Sequence, residues 1–155
     1  MSSIDFSNIL SRVDSILEEE SSIDEKLQSL CELLDQEIDI FNWTGFYLVN
    51  PEKEEELVLG PYVGEPTDHT HIAFGTGICG QAADTLETFV VQDVSQETNY
   101  LACSVEVEAE IVVPIIHEGI FLGEIDIDSH TRNSITDEHR KLLEEIAGKL
   151  APYLA

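Results

Sequence analysis

Basic residues are scarce in this chain. Seven Lys and Arg stand against 32 Asp and Glu in 155 residues, a formal net charge of −25. So acidic a surface repels phosphate backbones and anionic lipid, which argues against nucleic-acid binding and against docking on a membrane. It attracts cations. Long hydrophobic runs are missing too, since no stretch approaches the ~18 consecutive apolar residues of a membrane span. The opening MSSIDFSN has no basic-then-apolar signal pattern, so a cytoplasmic location is expected. Only three cysteines occur, Cys31, Cys79 and Cys103, an odd number without a CxxC. Neither a zinc site nor a secreted disulfide framework is indicated. His69, His71, His117 and His130 share no metal-ligand spacing with them, so no metal or other cofactor is expected.

What is present suits one domain over 1–155. Hydrophobic residues make up 43%, enough for a substantial core. Phe6, Ile9, Leu10, Val13, Ile16 and Leu17 recur at helical spacing and predict a helix over ~4–19. Ser22 with Glu25 is a capping-box pattern opening a second helix, whose stripe is Leu27, Leu30, Leu34 and Ile38. Cys31 lies beside that stripe and reads as a packed thiol. After these helices (1–40), the segment 41–128 reads as sheet and loops. FNWTGFYLV (41–49) and LVLGPY (57–62) are strands joined by the turn NPEKEEE. HIAFGTGICGQAA (71–83) combines glycine turns with a short helix, TFVVQDV (88–94) is a strand, and 94–107 is a loop. EIVVPII (110–116) and GIFLGEIDID (119–128) form a hairpin about His117, Glu118 and Gly119. Thr136 caps a last helix over 136–154. This order predicts an α+β fold: a central antiparallel sheet with the N- and C-terminal helices on one face. The loops 63–85 and 94–108 are left to cover the other face, and a pocket beneath them is the place to look for function.

Several residues there carry chemistry. Glu124, Asp126 and Asp128 alternate along one strand, so they share a face, with neighbours about 6–7 Å apart. Either water solvates that face or a cation sits against it. Cys103 lies in a polar loop, where it is either accessible or a small anchor for Leu101 and Ala102. Glu106, Glu108 and Glu110 follow it closely, and such neighbours raise a thiol pKa. Cys79 sits among glycines 75, 77 and 80, which mark tight turns ahead of a helix. The GxGxxG at 75–80 lacks the βαβ context and the basic residues of a dinucleotide site. Trp43 shares a strand face with Phe41 and Tyr47, an arrangement more typical of core.

NWTGFYLV, LVLGPYVG, FGTGICGQAA, LACS, EIVVPI and GEIDIDS, in this order, resemble the free methionine-R-sulfoxide reductases, small enzymes of GAF fold. The likeness runs from about residue 42 to 129. It implies thiol-dependent reduction of free L-methionine-(R)-S-oxide to methionine. On this resemblance Cys103 is the catalytic cysteine and Cys79 the second cysteine. Glu110, Asp126 and Asp128 are pocket carboxylates meeting the substrate's ammonium group, and Trp43 and Tyr47 hold its methyl end. Glu124 departs from the pattern, in which an apolar residue is usual, and is expected to be solvated. His69 departs too, standing where many relatives carry a third, resolving cysteine.

The implied chemistry suits these residue types. The sulfoxide oxygen must be protonated as a thiolate attacks sulfur, and crowded carboxyls, with Glu110 and Asp128 as the pair, retain a proton for it. Cys103 is left as a sulfenic acid, which a second thiol condenses to a disulfide. A thioredoxin-like reductant and a homodimer are further implications of the resemblance. A ligand-sensing GAF module and a Cys79–Cys103 redox switch are the alternative readings.

Overall fold

The computed structural model describes residues 5–100 and 106–155. Helices α1 (Phe6–Glu18) and α2 (Ile23–Glu37) form where the apolar periodicity predicts them. Asp5 accepts the Asn8 N–H and Ser22 the Glu25 N–H, closing donors that each helix start leaves open. Strands β1 (Trp43–Val49), β2 (Glu56–Val63) and β3 (His71–Ala73) precede α3 (Gly77–Thr85). Then come β4 (Phe89–Val91), β5 (Ala109–His117), β6 (Ile120–Ser129) and α4 (Asp137–Leu154). The six strands form one antiparallel sheet in the order β3-β2-β1-β6-β5-β4. No helix of the described residues is long and apolar enough to cross a membrane.

The sheet separates two apolar clusters. On the helix side Ile9, Val13, Leu30, Leu34 and the α4 residues Leu142, Leu143 and Ile146 pack on Phe46, Ile111, Val113, Ile125 and Ile127. On the loop side Trp43, Tyr47, Leu57, Ile72, Ile78, Val91 and Val112 form a second, smaller cluster with Cys79. Strand alternation accounts for the division, because Ile125 and Ile127 face the helices and Glu124, Asp126 and Asp128, which alternate with them, face the loops.

Three local features depart from plain helix and strand geometry. Glu118 and Gly119 both adopt positive φ (51° and 81°), the type I′ geometry that suits the β5–β6 hairpin. Thr136 caps α4 in a box with His139, which returns its ring nitrogen to the Thr136 N–H at 3.0 Å. Phe41, expected on the face of Trp43 and Tyr47, instead precedes β1 and packs among the helices against the His139 ring. The strand begins at Trp43, so its alternation does not reach back to 41. Strand β3 was not expected: its three residues, framed by turns, are too few for alternation to register.

Candidate functional site

Strand β6 delivers its acids to the loop side of the sheet. Register sets Asp128 opposite Trp43 on β1 and Glu110 on β5, Asp126 opposite Gly45 and Val112, and Glu124 opposite Tyr47 and Pro114. All are buried: Glu110 is 3% exposed, Asp128 1%, and Glu124 and Asp126 are fully enclosed. The expectation that Glu124 is solvated is therefore wrong. Its alternation with Asp126 already aimed it at the pocket, and α3 with the residues around it closes that face against water.

Cys79 comes down from α3 onto these acids. Its Sγ lies 4.0 Å from Glu110 Oε2, a long thiol hydrogen bond. Sγ and one oxygen each of Glu110 and Asp126 all fall within 4.8 Å of one another. No oxygen of Glu124 or Asp126 accepts a hydrogen bond of good geometry from a described residue. Tyr47, His69, Ile72, Thr76, Gly77, Ile78, Cys79, Glu110 and Asp126 enclose a cavity of about 10 Å³, roughly one water. Larger hollows, about 220 to 320 Å³, lie elsewhere and bring no thiol together with buried acids.

Aromatic rings form the wall beside the acids. The Trp43 indole stacks on Tyr62 at 5.3 Å between centroids and lies 6.4 Å from the Tyr47 ring. Trp43 Nε1 donates to the Glu65 carbonyl at 3.0 Å, and the Tyr47 hydroxyl donates to the His69 carbonyl at 2.8 Å. These bonds tie the 64–70 loop to the strand floor. Glycine at 45 is required here, because a Cβ would stand 2.5 Å from the Trp43 ring.

Burial dominates the electrostatics. It pushes the pKa of Glu124 well up, and the Asp126 charge adds to the rise, which the Cys79 thiol opposes only in part. Asp126 is likewise raised by burial, with the Glu110 carboxyl and the Cys79 thiol working the other way. The Cys79 thiol is raised by burial first and then by Asp126, Glu124, Glu110 and Asp128. Burial thus favours the proton-bound forms of Cys79, Glu124 and Asp126. A bound cation would reverse that preference. Cys31 belongs to neither the site nor its wall. It packs among the helices with Sγ 3.6 Å from the Pro61 carbonyl, and burial followed by Glu32 and Asp35 pushes its thiol up.

Cys103 lies outside the described residues. The chain on both sides of it is anchored at the site. Asn99 accepts the Gly77 N–H at 2.9 Å and donates to the Gly75 carbonyl at 2.8 Å, while Gln81 donates to its carbonyl. Tyr100 packs on the loop-side cluster. Beyond the segment, the Glu108 N–H donates to Ser129 at the end of β6. Nothing in the periodicity of 94–107 singled out Asn99; its role depends on three elements meeting at the α3 start.

Residues 20–155 match the GAF domain family. A Saccharomyces cerevisiae protein named free methionine-R-sulfoxide reductase is 42% identical over 111 residues. That match takes in 71% of this chain and 61% of the yeast protein, so the chain spans less than two thirds of that relative. An Escherichia coli protein of the same name is 32% identical over 136 residues, 88% of this chain and 80% of its own. The structure of the Neisseria meningitidis free methionine-R-sulfoxide reductase in complex with its substrate superposes with a TM-score of 0.91. It is 32% identical and the match covers 99% of this chain and 93% of that one.

Proposed function

This chain belongs to the GAF domain family and groups there with free methionine-R-sulfoxide reductases, and from that premise we propose that it reduces free L-methionine-(R)-S-oxide to L-methionine. The observation that carries the reading is the set of enclosed acids Glu110, Asp126 and Asp128 beside the Trp43–Tyr47 wall. Enclosing carboxylates costs their solvation, and a substrate ammonium offsets that cost. The apolar end of the same molecule then lies on the aromatic wall.

Cys103 is the nucleophile in this reading. In the sequence it lies three residues from both Tyr100 and Glu106. Its thiolate attacks the sulfoxide sulfur, and a proton from the paired acids Glu110 and Asp128 goes to the oxygen. Methionine leaves, and Cys103 retains the oxygen as a sulfenic acid. The Cys79 thiol condenses with it, releasing water and forming a disulfide that a thioredoxin-like protein reduces. A 10 Å³ cavity cannot hold methionine sulfoxide, so substrate binding includes a parting of the loops over the sheet.

The test is turnover of free methionine-(R)-sulfoxide with a dithiol reductant, in wild type and in Cys103→Ser. Wild-type reduction with loss of activity in the variant is expected. An inactive wild type would return the chain to the sensing or switch reading, and an active Cys103→Ser would remove Cys103 from the mechanism.

A further inference from the structure

We propose that Cys79, Glu110 and Asp126 form a binding site for one thiophilic divalent cation of the zinc class. Spacing along the chain predicts no metal ligands, because the three residues come from α3, β5 and β6 and meet only in the folded sheet. Their ligand atoms lie within 4.8 Å of one another. Some point therefore lies within about 2.8 Å of all three, and contraction by roughly 0.5–0.8 Å per ligand reaches zinc–sulfur and zinc–oxygen bond lengths. The cavity they line is about 10 Å³, the size of a single ion or water.

A second observation points the same way independently of the cluster's geometry. Glu124, two residues along the same strand face and fully enclosed, has both carboxylate oxygens without a good hydrogen bond from any described residue. Its carboxyl interacts with the Cys79 thiol, so a third carboxyl adjoins the sulfur of the cluster. Buried acceptors left open in this way are satisfied by a cation as well as by any protein donor. A thiolate among carboxylates favours a metal that tolerates both sulfur and oxygen, so zinc or cadmium is preferred over magnesium or calcium.

Binding exchanges protons for the metal: the Cys79 thiol loses its proton to solvent as the metal–sulfur bond forms, with no change of oxidation state. The proposal goes beyond the reductase reading and needs neither Cys103 nor turnover. In a working reductase the cation occupies the place of the substrate ammonium and acts as a competitive inhibitor.

Cadmium is the probe, because its bond to a thiolate gives an ultraviolet charge-transfer band. Titration of the reduced protein is expected to produce that band with one equivalent per chain, and zinc should displace the cadmium. Cys103→Ser and Cys31→Ser should keep the band. Cys79→Ser and Cys79→Ala should lose it while their circular dichroism stays native, and Asp126→Asn should weaken cadmium binding at least ten-fold. A band that survives both Cys79 variants, or a folded wild type that shows none, overturns the proposal. The Cys103→Ser arm keeps this failure separate from that of the reductase reading, since that variant reports on binding without turnover.

Discussion

Replacing Glu124 with Gln tests the burial of the acids on β6 without touching the proposed nucleophile. Glu124 is fully enclosed and its pKa is raised, mainly by burial. The folded protein therefore binds one more proton than the unfolded chain, from the ordinary carboxylate range up to the raised value. In that window stability falls as pH rises, by about 1.4 kcal/mol per pH unit for one group. The contribution is present in full below about pH 4.3 and disappears as the pH passes through the folded-state pKa. Between pH 5 and 7 the loss reaches at most about 2.7 kcal/mol, or ~5–11 °C in Tm for a chain of this size. Glutamine keeps the shape and cannot ionise. The two proteins should thus have similar stability at pH 5, with Glu124→Gln gaining on wild type as pH rises. Self-repulsion from the net charge of −25 also grows with pH, but it acts on both proteins and cancels in the difference. Urea denaturation at pH 5, 6 and 7 measures that difference. Parallel profiles would refute the reasoning, and a variant that is weaker at pH 7 would mean that Glu124 is ionised and paired.

Other consequences follow from the same geometry. In Cys79→Ser one methionine should form per enzyme while thioredoxin-driven multiple turnover falls away; full multiple turnover would mean that an external thiol reduces Cys103 directly. N-acetyl-methionine sulfoxide lacks the ammonium and would leave buried acids unpaired, at about 3–5 kcal/mol, so kcat/KM should drop by at least a hundred-fold. Equal rates for the free and acetylated substrates would remove the acids from substrate recognition. Gly45→Ala puts a Cβ 2.5 Å from the Trp43 ring and 2.8 Å from Tyr62 Cβ, and should cost about 1–3 kcal/mol in urea denaturation. A variant as stable as wild type would show that the indole has room to move.

How much of this was legible in the sequence depends on how far apart the interacting residues are. Helices α1, α2 and α4, the paired strands β5 and β6 and the caps at Ser22 and Thr136 follow from periodicities and cap patterns that act over a few residues. The shared face of Asp126 and Asp128 was legible for the same reason. Whether that face was wet was not, because the answer lies with α3 and the chain around it, about 40–50 residues earlier. That is how Glu124, a strong polar signal, came to be expected in solvent although it is enclosed. Cys79 beside Glu110 and Asp126 is a contact across three elements, and nothing local to GICG announces it. Phe41 shows the opposite failure: alternation was extended two residues past the true start of β1.

The sheet also explains how such a face is tolerated at all. Its helix side is almost wholly aliphatic and aromatic, with three helices over Ile111, Val113, Ile125 and Ile127. Each fully buried side chain of that kind stabilises by about 1.5–3 kcal/mol relative to exposure, so the helix side alone outweighs the cost of enclosing Glu124 and Asp126 opposite. Both faces belong to the same strands, and register fixed by the apolar side therefore fixes the acids as well. A one-residue slip of β6 would put Asp126 and Asp128 into the helix core and Ile125 and Ile127 under the loops. The apolar residues thus hold the acids in a place the acids would not choose. That constraint keeps their carboxyls enclosed on the loop side, where a cation, whether an ammonium group or a metal ion, offsets their charge.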